Sequence, residues 1–169
     1  MKNWITLILL FIATTTVVST VQATPPSIFK TSVKGDFDSV YKHVYSALEN
    51  NRLFVVLQPD IGSNLSGFAK RWGDDYNKNK LDRIKSMVFC NAWYANQVSN
   101  ADPDMLALCP LHLTLTHKKG MTSVVFVRPD MVAKGSDAEE ITRELTEYVI
   151  NAINEGIEAS KEDSKDKAE

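Results

Sequence analysis

The chain has 169 residues, with 19 lysines and arginines against 21 acidic residues and a formal charge of −2. No basic surplus exists to neutralise phosphates, so nucleic acid is excluded as an expected partner. Two cysteines and a 44% hydrophobic content describe an ordinary globular chain able to bury a core, not a small disulfide scaffold.

The first element is a targeting segment. Lys2 gives a short positive start, Trp4 to Val18 is apolar apart from threonines, and Val21-Gln22-Ala23 ends in small residues of the kind a signal peptidase reads. The apolar run is shorter than the roughly 20 residues that cross a bilayer. Residues 1–23 are therefore read as a signal peptide cleaved near Ala23, giving a periplasmic or secreted chain without a membrane span; an uncleaved N-terminal anchor is the other reading. Loss of Lys2 leaves 18 basic against 21 acidic residues, a formal charge of −3.

Beyond Pro25-Pro26, the loose alternation of Ile28 to Lys34 predicts a strand. Asp36 is placed to cap a helix, because its carboxylate can accept from the unpaired amides of the first turn. Phe37, Val40, Tyr41, Val44, Tyr45 and Leu48 then recur at helical spacing, up to Asn50-Asn51. Leu53 to Leu57, apolar on both faces and bounded by Pro59, predicts a central strand. Between Asp60 and Lys80, three glycines and the aromatics Phe68, Trp72 and Tyr76, four apart, predict a short helix within loop. Its aromatics are expected to pack on the sheet, with a lid over a pocket as the alternative.

Arg83 to Phe89 predicts a third strand and Ala92 to Ser99 a short helix, followed by the turn residues Asn100 to Asp104. Leu111, Leu113 and Leu115 alternate with polar residues, and Lys118-Lys119-Gly120 turns the chain into Thr122 to Val127, a β-hairpin. Ser136-Asp137-Ala138-Glu139 reads as a capping box. Ile141, Leu145, Tyr148 or Val149, Ala152, Ile153 and Ile157 carry a long amphipathic helix to about residue 159, and the charged residues 160–169 are expected to be a disordered tail. The sum is one α+β domain over residues 24–159: a two-layer sandwich, with a sheet of roughly five strands, two long helices on one face and short helices in the connections.

Cys90 ends one apolar run and Cys109 begins the next. In an oxidising compartment two cysteines in one domain are usually paired, and a loop of about 18 residues would gain roughly 3 kcal/mol from the crosslink. A Cys90–Cys109 disulfide is thus expected. The alternatives are a redox or ligand-holding thiol site, with Phe89, Trp93 and Tyr94 as apolar walls and Asn91 as the polar group, and a metal or haem site of Cys109, His112 and His117. No C-x-x-C, G-x-S-x-G, H-E-x-x-H or phosphate-binding glycine loop occurs, so no catalytic residue is assigned.

Cys90-Asn91, the Asp102-Pro103 turn, Cys109-Pro110 and the hairpin Leu111 to Val127 together resemble the domain of unknown function 302 (DUF302) family, as does the early stretch DFDSVYKHVYSALENNRLFVV. The resemblance spans roughly Phe29 to Asn154 and implies an architecture and a landmark site, without a reaction. Two departures stand out: Ala92 follows Cys90-Asn91 where many relatives have proline, and Cys109 precedes Pro110 where the second cysteine commonly follows it. The functional expectation is an exported small-ligand-binding or accessory protein with its site near Cys90, Asn91 and Cys109. A thiol or metal-dependent redox protein is the runner-up. A homodimer through an exposed sheet face comes third, favoured if that face is apolar and free of histidine.

Overall fold

The structure, a computed structural model, describes residues 26–166. The expected signal peptide, residues 1–23, lies outside the described residues. Among those residues no helix is long and apolar enough to cross a membrane.

Five strands form one antiparallel sheet in the order β1-β5-β4-β3-β2: β1 (Ile28–Lys34), β2 (Phe54–Leu57), β3 (Arg83–Cys90), β4 (Leu111–Lys118) and β5 (Met121–Val127). Two helices, α1 (Phe37–Asn50) and α6 (Glu139–Asp166), pack on each other and cover one face. The α+β two-layer architecture is the one expected. Shorter helices fill the connections: α2 (Ile61–Ser66), α3 (Ala69–Trp72), α4 (Ala92–Ala101) and α5 (Pro129–Val132). The core is the interlock of Val40, Val44 and Leu48 with Val149, Ile153 and Ile157 above Met87, Phe89, Leu113, Leu115, Val124 and Phe126.

Local chemistry explains most boundaries. The Asp36 carboxylate accepts from the Ser39 amide at 2.9 Å and opens α1. The β4–β5 hairpin turns through Lys119 and Gly120, at φ of 50° and 77°. Two successive left-handed residues match the twist of the strands they join. At the start of α6, Glu139 accepts from the Gly135 amide at 2.7 Å and Ser136 Oγ from the Ala138 amide at 3.2 Å. The reciprocal cap exists, displaced by one residue from the expected pairing. Gly156 lets α6 ride on α1, because a Cβ there would lie 2.6 Å from Val44 Cα.

Four expectations are corrected. β2 is an edge strand, not a central one, with Phe54, Val56 and Leu57 exposed by 53%, 66% and 60%. Its run is apolar on both sides because Leu53 and Val55 turn to the core, Phe54 and Leu57 turn away, and Val56 is an extra residue at a register shift. Outside β2, the Val55 amide donates to Glu49 Oε1 at 2.7 Å. Secondly, Phe68 and Trp72 do not pack on the sheet; they stack on each other at 5.0 Å and stay exposed. Thirdly, a 3₁₀ helix over Pro103–Leu108 follows the Asp102 cap, where only a turn was expected.

Lastly, α6 continues to Asp166, so residues 160–166 are helical and not a disordered tail. Ser160 is buried, and Ser39 Oγ donates to Asp163 Oδ2 at 2.9 Å beside His43 Nε2 at 3.4 Å. Polar contacts carry these turns, so apolar periodicity did not register them.

The second face of the sheet has no layer over it among the described residues; α2 meets β3 only at its border. Register sets Ile28, Lys30, Ser32 and Lys34 of β1 on this face beside Val127, Val125, Ser123 and Met121 of β5. His112, Thr114, Thr116 and Lys118 of β4 follow, then Ile84, Ser86, Val88 and Cys90 of β3, and Phe54 and Leu57 of β2. The face is neither apolar throughout nor free of histidine, which removes the condition set for a homodimer.

Candidate functional site

The region around Cys90 is built for structure. Asn91 Oδ1 accepts from the Trp93 and Tyr94 amides at 3.0 and 3.2 Å, and its Nδ2 donates to the Arg52 carbonyl at 3.1 Å. All of its donor and acceptor capacity shown here goes into starting α4 and tying it to the α1–β2 corner. Phe89 is fully buried in the core. Tyr94 is buried too; its hydroxyl donates to Glu144 Oε1 at 2.9 Å, and burial, with that carboxylate, pushes its phenol up to about 12. Trp93 is exposed and meets the Tyr94 ring edge-on at 4.8 Å. Of the three expected walls, Phe89 and Tyr94 are taken up by the core and Trp93 is exposed, while Asn91, the expected polar group, is engaged in the cap.

Cys90 and Cys109 are both free and half-buried, so the expected disulfide is absent. Strand pairing runs to Phe89 opposite Leu111, and Cys109 precedes a cis peptide to Pro110 at the end of the 3₁₀ turn. Burial raises the Cys109 thiol above its ordinary value, and Cys90 adds to the rise. A thiol held protonated is a weak nucleophile and a weak metal ligand, the reverse of what the redox reading requires.

The metal reading fails on strand geometry. Side chains alternate across a strand, so His112 and His117, five residues apart on β4, lie on opposite faces and roughly 16 Å apart along it. His112 is exposed on the bare face, whereas His117 Nδ1 pairs with Thr122 Oγ1 at 2.8 Å and abuts the Phe37 ring. Among the described residues no group of three or more His, Cys, Asp or Glu side chains is placed to hold a metal ion.

A cavity lies elsewhere, where the short β2 stops and α2 takes its place beside β3. It has a volume of about 330 Å³ and is lined by Asp60, Leu65, Tyr76, Asp82, Arg83 and Ile84, among others. Gly62 permits the approach, since a Cβ there would meet the Ile84 amide nitrogen at 3.2 Å. Asp60 Oδ1 caps α2 by accepting from the Ser63 amide at 2.8 Å, and Asp82 Oδ2 accepts from the Lys119 amide at 2.8 Å. Asn77 closes the loop below it, exchanging bonds of 2.9 Å with the Leu81 backbone. Arg83 lies over the Phe37 ring and pairs with Asp38 Oδ1 at 3.1 Å. Behind the cavity, burial and then the Asp60 charge raise the Tyr41 phenol, whose hydroxyl donates to Gln58 Oε1 at 2.9 Å.

The segment over this cavity is the one whose glycine and aromatic spacing raised the lid alternative. Sequence reasoning did not connect it to Asp82, Arg83 and Ile84, because only the docking of α2 on the start of β3 folds the segment back over those residues.

The family described as "Domain of unknown function DUF302" matches residues 29–159. The chain belongs to the DUF302 family. A solved structure described as an uncharacterized conserved protein DUF302 from Bacillus stearothermophilus is similar, with a TM-score of 0.65 and 14% identity. The match covers 78% of this chain and 98% of that one, a likeness of fold. No curated protein matches the chain. In this DUF302 domain the Cys-Asn landmark marks the end of β3 and the cap of α4, and the Cys-Pro landmark marks the entry to β4.

Proposed function

We propose that this DUF302 domain is an exported small-ligand-binding or accessory protein whose ligand seat is the cavity between α2 and the start of β3. The observation that carries the reading is the cavity itself. Its volume, about 330 Å³, falls at the lower end of the range for small-molecule pockets. Leu65 and Ile84 supply apolar wall, while Asp60 and Asp82 each spend one carboxylate oxygen on a backbone amide. The other oxygens are free to accept, so the ligand is a compact molecule with an apolar body and hydrogen-bond donors. Arg83 is already engaged by Asp38 and adds little net attraction for an anion. Cleavage of residues 1–23 would deliver this domain outside the cytoplasm.

The test is native mass spectrometry of the protein purified from its own compartment, beside a Leu65→Trp variant that fills the cavity. A small molecule carried by the parent and lost from a folded variant is the expected result. A parent that carries nothing, and whose melting temperature responds to small amines and polyols no differently from the variant, would overturn the reading.

A further inference from the structure

The uncovered sheet face has an uneven charge that the ligand cavity does not use. Its charged groups are Lys30, Lys34 and Lys118, all exposed, and no acid occupies any strand position facing that side. The chain as a whole carries more acids than bases, so these lysines stand out locally. Lys34, Met121 and Lys118 form one cross-strand row at the hairpin end. At the other end Ile28, Val125 and Val127 adjoin His112 around a groove of about 220 Å³, with Val88 on the next strand. The face is cationic at the hairpin end and on β1, where Lys30 stands beside Val125, and apolar around Ile28, Val125 and Val127.

From this distribution we infer that the bare face docks an acidic amphipathic helix of a partner protein, completing a third layer over the sheet. Apolar residues of that helix would cover Ile28, Val125 and Val127, and its carboxylates would meet Lys30, Lys34 and Lys118. An antiparallel sheet can leave one face in water, but apolar area on that face gains from a cover, and helices are the layer this sheet already accepts on its other side. A second copy is a poorer occupant. Two such faces together would set three lysines against three with no carboxylate between them, and like charges facing each other are costly. Nucleic acid would pair with the lysines and leave the apolar end uncovered.

The probe is a synthetic amphipathic peptide with leucine on one face and glutamate on the other, beside a twin with lysine in place of glutamate. The glutamate peptide should bind the intact protein with an affinity that falls as salt is added, and the lysine twin should not bind. Lys30→Glu with Lys118→Glu, both at exposed positions, should weaken the glutamate peptide by roughly tenfold or more. Val127→Asp, checked by circular dichroism for retained fold, should weaken it independently. Equal binding of the two peptides, no binding of either, or indifference to the lysine reversal would overturn the inference. So would tighter binding of a single-stranded oligonucleotide, or a parent dimer in ultracentrifugation that Val127→Asp dissolves.

Discussion

Gly156→Ala tests the tightest glycine contact among the described residues. The added Cβ would lie 2.6 Å from Val44 Cα and 2.9 Å from Val44 N, both backbone atoms that no rotamer change can move. Non-bonded carbons rest at roughly 3.5–4.0 Å, so α1 and α6 must part by about 1 Å. That movement loosens Val40, Val44 and Leu48 against Ile153 and Ile157. Overpacking of this kind costs about 1–3 kcal/mol, and rigid obstacles place it near 3. Alanine returns about 1 kcal/mol of helix propensity and chain entropy, leaving a net loss of about 2 kcal/mol. For a domain of this size the melting temperature should fall by about 6–8 °C. Thermal unfolding followed by circular dichroism measures it, with Gly67→Ala as control. Gly67 has φ of −60°, and a Cβ there meets only the Asn64 carbonyl oxygen at 3.5 Å. The control should melt no lower than the parent. A Gly156→Ala variant as stable as the parent would refute the packing argument.

Asn91→Ala removes the acceptor for two α4 amides and should destabilise by about 1–2 kcal/mol in urea titration, while Asn91→Asp keeps most of the cap. Tyr94, pushed up to about 12 from an ordinary 10.0, holds its proton more tightly folded than unfolded. Its contribution is therefore complete below about pH 10 and lost as pH rises towards 12; alkaline unfolding of Tyr94→Phe should be shallower in that window. Denaturing mass spectrometry after alkylation of the unfolded, unreduced protein should find both cysteines labelled. In the native protein Cys109 should still react more slowly with disulfide reagents at pH 9.0, its ordinary value, than the same thiol in the unfolded chain, because burial disfavours its thiolate.

Where periodicity and local chemistry agree, the chain was readable. The Phe37-Val40-Val44-Leu48 stripe, the Asp36 cap and the Lys119-Gly120 turn each rest on contacts within a few residues, and each lies where the pattern puts it. β2 was misread because an edge strand can be apolar on both sides when the face it turns outward is bare. Residues 160–166 were missed because Ser39 and His43 hold them through Asp163, polar contacts that no hydrophobic stripe advertises. The cysteines misled for a related reason: their spacing allowed a crosslink, but Cys90 ends β3 opposite Phe54, whereas Cys109 lies outside the strands at the end of the 3₁₀ turn, and both are free. The cavity depends on bringing Asp60 beside Asp82, a pairing that exists only once β3 is laid against its neighbours.

Glu49 has a consequence for what the molecule does in a crowd. β2 offers a short run of oily, strand-prone side chains at an open margin, the kind of border on which protein aggregates grow by adding chain after chain. By occupying the Val55 amide, a single carboxylate from the preceding helix denies newcomers a first anchoring point. Replacing Glu49 with alanine would leave a domain that still folds, yet one that clouds on concentration where its parent stays clear.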